Sequence, residues 1–169
     1  DGQSSRGLGD VYKRQVVVTT GHPDIGGSRA SIANITAELL GIDVNRVSVL
    51  IGDTASIGFS NLTGGSRVLF ASALVVTEST NQVIDILKDR ASKIWNIDQE
   101  AIEWENGEAR PAGDNAGKFK PLSLADLAEQ ATPTGGPIGA GHQVNTVGAE
   151  GGFATHICDV EVDIELGIA

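Results

Sequence analysis

VVVTTGHPDIGGSRAS, residues 16–31, decides how the rest of the chain is read. Its opening, Val16-Val17-Val18-Thr19-Thr20, is a continuous β-branched run, the pattern of a strand buried on both faces. A glycine turn then delivers the chain into Ile32, Ile35 and Leu39, apolar residues at helical spacing. Gly41 followed by Ile42 is a helix stop with an apolar residue behind it. Val47, Val49 and Ile51 form a second strand, so the stretch predicts a βαβ-like unit. A glycine turn between a strand and a helix leaves backbone N–H groups free at the positive end of the helix dipole. That setting favours an anion.

Downstream, Gly52–Gly65 is a polar loop too long for an ordinary connection. A second helix is expected from Ser66 to about Asn96, with Val76, Val83, Leu87, Ala91 and Ile94 on one stripe. Ile102 and Trp104 alternate with Glu103 and Glu105 ahead of Asn106-Gly107, a hairpin-turn pair. Ser123-Leu124-Ala125-Asp126 resembles a capping box opening a short helix to Ala131, and Thr132–Gly141 reads as a Pro/Gly-rich loop. His156, Cys158, Val160, Val162 and Ile164 alternate with Asp159, Glu161 and Asp163, the pattern of a half-exposed strand. The expectation is one α+β domain over residues 15–169, a βαβ-containing mixed sheet with packed helices.

Residues 1–14 are set aside from that domain. Asp10-Val11-Tyr12-Lys13-Arg14-Gln15 is what GAT GTG TAT AAG AGA CAG encodes, which resembles a transposon adapter end used in sequencing libraries. The segment is expected to be a non-native scar; a flexible, disordered linker is the alternative. The chain starts without methionine and stops abruptly, so it is expected to be part of a longer one.

With 169 residues the chain can bury a real core. Its net charge of −10 argues against nucleic acid or an anionic membrane as partner. A single cysteine excludes an internal disulfide, a four-cysteine zinc site and a self-contained iron–sulfur cluster. No apolar run approaches the roughly 20 residues of a membrane span.

Gly21-x-x-x-x-Gly26-Gly27-Ser28 has phosphate-loop spacing with glycine in the lysine position, which disfavours nucleotide hydrolysis. Nor does it match Gly-x-Gly-x-x-Gly, so a dinucleotide fold is unsupported. The device then recurs. Gly26-Gly27-Ser28-Arg29 opens the first helix and Thr63-Gly64-Gly65-Ser66-Arg67 the second. In each, glycines allow close approach, serine is placed to cap, and arginine stands in the first turn, where the dipole alone disfavours a cation. An arginine so placed points to a nearby anion, and two such starts facing one cavity suit a strongly anionic cofactor; coincidence in a chain with 22 glycines is the alternative.

Val16–Leu40, Gly52-Asp53-Thr54 and Thr63-Gly64-Gly65-Ser66 resemble the molybdopterin-binding large subunit of the xanthine dehydrogenase/aldehyde oxidase family. Gly21-His22-x-Asp24-Ile25-Gly26 is similar to its cofactor loop, and Ala37-Glu38-Leu39-Leu40-Gly41-Ile42 to the helix end that follows. Phe153-x-x-His156-x-x-x-Val160-Glu161-Val162-Asp163 resembles the strand preceding the family's C-terminal cofactor segment. The likeness runs from about Val16 to Gly167.

The resemblance implies a molybdenum hydroxylase that oxidises an aldehyde or N-heterocyclic carbon with oxygen drawn from water; some members oxidise carbon monoxide. It implies molybdenum–molybdopterin, or the cytosine dinucleotide form, with iron–sulfur clusters and FAD on other subunits or domains. The implied partners are those subunits and a small organic substrate, in the cytoplasm or periplasm. Ile25, Gly26, Gly27 and Ser28 fall in the family's first cofactor loop; Thr63, Gly64, Gly65, Ser66 and Val68 fall in the second. Where the family commonly carries Gly-Gln-Gly, this chain has Gly26-Gly27-Ser28, and Ser31 stands where threonine is usual. The family's catalytic glutamate lies C-terminal of this region, so no catalytic residue is assigned and the stretch alone is expected to be inactive. A non-redox anion-binding module and a structural module derived from the family are the competing readings.

The remaining candidates are weaker. Asp53 is read as a loop organiser. His156 and Cys158 are read as core-facing rather than as metal ligands. His22 is read as either a cofactor contact or a solvent-facing turn residue. Trp95 and Trp104 are assigned to the core or a subunit interface, and Asp98–Glu105 to a solvated face.

Overall fold

A computed structural model describes residues 16–52, 55, 57, 62–64, 67–144 and 154–167. The segment set aside at 1–14 lies outside them. The βαβ unit forms as the sequence predicts, except that Val16–Thr20, read as buried on both faces, is half-buried with Thr19 exposed, because only one strand pairs with it among the described residues. β1 (Val16–Thr20) and β2 (Val47–Ile51) pair in parallel, from Val16 opposite Val47 to Thr20 opposite Ile51. α1 (Ser28–Leu40) makes the crossover, burying Ser28, Ile32, Thr36 and Leu40, four residues apart on one face. Thr36 sits in that face because its hydroxyl donates to the Ile32 carbonyl at 2.9 Å.

Gly41 ends α1 with φ 68, a left-handed conformation that glycine adopts without penalty. Its N–H and that of Ile42 return to the Glu38 and Ala37 carbonyls at 3.1 and 3.0 Å, and Ile42 packs onto the core. α2 (Arg67–Trp95) is about 44 Å long at 1.5 Å per residue. It buries Val68, Ala71, Ser72, Val76, Thr80, Leu87, Arg90, Ala91 and Trp95. Ile94, expected on the same stripe, is instead 36 % exposed, because the last turn presents Trp95 to the core.

The second half is a small antiparallel sheet of β3 (Ile102–Glu105), β4 (Glu108–Pro111) and β5 (Leu122–Ser123), in the order β3-β4-β5. Asn106 and Gly107, with φ 52 and 78, make the predicted two-residue turn. Parallel and antiparallel strands therefore occupy separate sheets within the expected α+β class. Asp98, Glu100, Glu103 and Glu105 are exposed, as read. The capping box closes in both directions: Asp126 N–H donates to Ser123 Oγ at 3.2 Å, and Ser123 N–H to Asp126 Oδ2 at 2.9 Å. It opens α3 (Leu124–Glu129), and a further turn, α4 (Ala131–Thr134), forms where a loop is expected. Buried Arg90 accounts for α4, since its guanidinium donates to the Thr134 and Gly135 carbonyls where the helix dipole is negative.

Two apolar clusters result. The larger joins Leu40, Leu87, Ala91, Trp95, Ile102, Ala109 and Leu127; Trp95 stacks on Phe119 at 5.7 Å. The smaller joins Ile32, Val49 and Val76 beneath the parallel strands. Trp104 is half-buried and its indole N–H donates to the Leu40 carbonyl at 3.0 Å.

The strand expected over 156–164 does not form. Residues 154–162 carry no regular structure and Asp163 makes an isolated bridge. His156 and Cys158, read as core-facing, are exposed, as are Ile157 at 89 % and Ile164 at 90 %. An alternating pattern becomes a strand only when a neighbour satisfies its backbone groups, and no described strand lies beside this one.

The core assignment gives a direct test. Leu87 is 1 % exposed, so Leu87→Ala should lower stability by about 2–5 kcal/mol in chemical denaturation. Lys93→Ala, which removes an exposed pair with Asp89 at 2.6 Å, should cost about 0.5 kcal/mol or less.

Candidate functional site

Parallel pairing sends the chain out of β1 and β2 at the same, carboxyl edge of the sheet, where ligands bind in open α/β sheets. The Gly52 N–H donates to the Thr20 carbonyl at 2.9 Å, holding the two exits together for one more step. The 21–27 turn leaves β1 for α1, and the long loop leaves β2 for α2. Both glycine-bearing segments thus start side by side.

In the first turn Gly26 and Gly27 have φ 66 and 75, consecutive left-handed residues. No atom of the described residues lies within 4 Å of where a Cβ would stand on either. Their N–H groups have no partner among the described residues. Gly27 is the N-cap of α1. Glutamine, expected there from the family likeness, would be strained at φ 75, so glycine matches this backbone. Ile25 is 58 % exposed.

Serine does not cap α1, contrary to the sequence reading. Ser28 is the first helical residue, 4 % exposed, and its hydroxyl lies 3.4 Å from Asp24 Oδ1 and 3.5 Å from the Pro23 carbonyl. The capping acceptor is Asp24, whose Oδ1 takes the Arg29 N–H at 3.0 Å. Asp24 also lies 3.8 Å from Arg29 Nε, so the anion that Arg29 was read to require is supplied by the chain itself. The donors left at this end include the N–H groups of Gly26, Gly27 and Ser28.

In the second segment Thr63 is exposed and Gly64 half-buried, while Val68 is 8 % exposed in the first turn of α2. Gly65 and Ser66, both assigned to the site on sequence, lie outside the described residues, as does Asp53. Arg67 Nη1 donates to the Leu62 carbonyl at 3.2 Å, folding the loop back on the helix start.

His22 joins the two segments. Its Nδ1 lies 3.3 Å from Ser72 Oγ, one turn into α2, and its Nε2 is buried without a partner among the described residues. Burial, and then the Arg67 guanidinium, hold its pKa below the ordinary value. Ser72, 50 residues away in sequence, carried no local signal that could have found it.

Among the described residues no three His, Cys, Asp or Glu side chains gather to hold a metal ion, and no helix is long and apolar enough to cross a membrane. An open cleft of about 480 Å³, lined by Lys93, Asn96, Asp98 and Asn115, lies at the far end of α2 and contains none of the expected site residues.

The family model for the molybdopterin cofactor-binding domain matches residues 10–169. The chain belongs to this family. The match begins inside the segment set aside at 1–14. A Cu,Mo carbon monoxide dehydrogenase structure in its carbon monoxide-reduced state superposes with TM-score 0.65 at 20 % identity, over 75 % of this chain and 16 % of its own. Reconstituted carbon monoxide dehydrogenase from Oligotropha carboxidovorans gives TM-score 0.65 at 19 % identity, again over 75 % and 16 %. Quinoline 2-oxidoreductase from Pseudomonas putida 86 gives 0.54 at 26 %, over 73 % and 16 %. The chain thus spans about a sixth of these relatives' length. No curated protein sequence matches it. The family identified from the glycine motifs is borne out, as is the α+β class.

The donor set of this molybdopterin-binding domain suits the cofactor's anionic oxygens: unpartnered backbone N–H groups over open glycines, beside an orphaned imidazole nitrogen. The imidazole also makes the site pH-sensitive. A folded-state pKa below the unfolded one means that unfolding takes up a proton at acid pH. The contribution is therefore complete above the unfolded value and is lost as pH falls through it towards the lower folded value. The cofactor-free protein should melt at lower temperature at pH 5 than at pH 7.5, and His22→Gln should remove part of that difference.

Proposed function

We propose that the 21–28 turn and the 62–68 segment together hold molybdenum–molybdopterin, as molybdopterin or its cytosine dinucleotide form, within a molybdenum hydroxylase. The supporting observation is the shared carboxyl edge of β1 and β2, from which both segments leave with glycine N–H groups free on the first. Gly26, Gly27 and Ser28 donate N–H groups to an anionic oxygen of the cofactor, and Ile25 flanks it. Thr63, Gly64, Gly65, Ser66 and Val68 supply the second set of contacts. Val68, buried at the head of α2, anchors that loop to the domain.

When bound, the molybdenum supplies two-electron oxidation of an aldehyde or N-heterocyclic carbon with oxygen from water. This stretch contributes binding and orientation and no proton-transfer group, so alone it is inactive. Iron–sulfur and flavin units, on partner subunits or other domains, accept the electrons, and the assembly works in the cytoplasm or periplasm. Backbone donors suit the task because they are rigid and neutral, and add no counter-charge to an already acidic surface.

Gly26 gives the test. A side chain at φ 66 is strained and stands in the space left open for the ligand. Gly26→Val in the full-length protein should cut molybdenum per polypeptide at least tenfold, while the cofactor-free protein keeps a cooperative melt. Val76→Asp places an unpaired charge in the small cluster and should abolish that melt. Full molybdenum occupancy in Gly26→Val would overturn the assignment of this turn.

A further inference from the structure

His22 is the one described histidine whose ring carries a buried, unpartnered nitrogen. An unpaired buried polar atom is costly, and its persistence calls for a ligand or a function. Among the described residues the buried Ser72 hydroxyl bonds only to His22 Nδ1, at 3.3 Å. If the hydroxyl donates to Nδ1, the neutral ring carries its proton on Nε2, and the Nε2–H and the Ser72 oxygen go unmet. If Nδ1–H donates instead, the Ser72 proton and the Nε2 lone pair go unmet. The two arrangements leave equal numbers unmet, but an anionic oxygen completes only the first, in which Nε2 is the donor.

The acceptor cannot be found within the described chain, and metal ligation does not suit a protonated Nε2 without a companion ligand. His22 precedes Gly26 and Gly27 in the same turn, and their N–H groups are also unpartnered. Resting on the reading of this turn as a cofactor loop, we propose that His22 Nε2–H donates directly to an anionic oxygen of the bound cofactor, with Ser72 fixing the ring from α2. In the cofactor-free protein, burial and the Arg67 charge disfavour protonation of the ring. The contact adds a side chain from the first loop, braced by the second helix, to a site otherwise made of backbone groups, and partly replaces the glutamine missing at Gly27.

The test compares His22→Leu, His22→Gln and Gly26→Val in the full-length protein. Two quantities are read: molybdenum and released pterin per polypeptide after exhaustive dialysis, and the melting temperature of the cofactor-free protein. Leucine fills the space without a donor. His22→Leu should retain at least tenfold less cofactor, with an unchanged or higher cofactor-free melt, because it removes an unsatisfied group. His22→Gln, whose amide supplies an N–H, should keep most of the cofactor. Wild-type retention in His22→Leu would overturn the contact. So would a loss of cofactor matched by a lower cofactor-free melt in both variants, since that marks His22 as only a tether to Ser72. If Gly26→Val is empty while His22→Leu stays loaded, the His22 contact alone fails; if both stay loaded, the reading of the turn fails with it.

Discussion

Two parallel strands cannot be joined by a tight turn; the chain must cross over and re-enter the sheet from the far side. Pairing Val16–Thr20 in parallel with Val47–Ile51 therefore commits α1 to the crossover, and it commits both exits to one edge. An antiparallel pairing would have sent the two glycine segments to opposite ends of the sheet. The bond from Gly52 to Thr20 keeps the exits in step, and the His22–Ser72 contact carries the junction into α2. The smaller cluster of Ile32, Val49 and Val76 lies under this edge, so helix, sheet and second helix meet where the loops begin.

An acidic protein that holds an anionic cofactor faces a field of the wrong sign. With a net charge of −10 the surface repels such a ligand over about a Debye length, roughly 8 Å at physiological ionic strength. Contact must then come from short-range donors. Backbone N–H groups at a helix start meet that need without mobile charge, and on the proposed contact the His22 imidazole adds one more. Arg29 does not serve as a free cation here, since Asp24 lies beside it. That exposed pair contributes little stability; its effect is to leave Gly26, Gly27 and Ser28 among the unclaimed donors.

What was legible in the sequence was local. The stop at Gly41, the Asn106-Gly107 turn and the Ser123–Asp126 capping box each depend on residues a few positions apart, and each forms as read. The parallel pair was legible because β-branched runs flank a helical period. The site was legible as glycine spacing but not as chemistry. Asp24 competes for the helix start from five residues away, and the spacing of Gly-Gly-Ser-Arg does not register that competition. Ser72 meets His22 only after the fold is made. The 156–164 pattern failed for the converse reason: alternation states what a strand would bury, but the strand exists only when another lies alongside.

Glycine serves this domain in two ways, by allowing close approach and by adopting a left-handed backbone in open space. At Gly41 an added Cβ would stand 2.8 Å from Asn106 Cα and Gly107 N, so that glycine lets α1 abut the hairpin, a contact the Trp104 bond to Leu40 reinforces. At Gly26 and Gly27 none of the described residues lies near, so it is the left-handed backbone that calls for glycine there. Both glycines are exposed, so their N–H groups are open to water or to a ligand in the free protein. A ligand held there that binds only the folded state would stabilise it by mass action. On the proposed reading of the turn, that stabilisation falls on the edge of β1 and β2 and on the heads of α1 and α2, while the cluster around Leu87 and Trp95 stands without it.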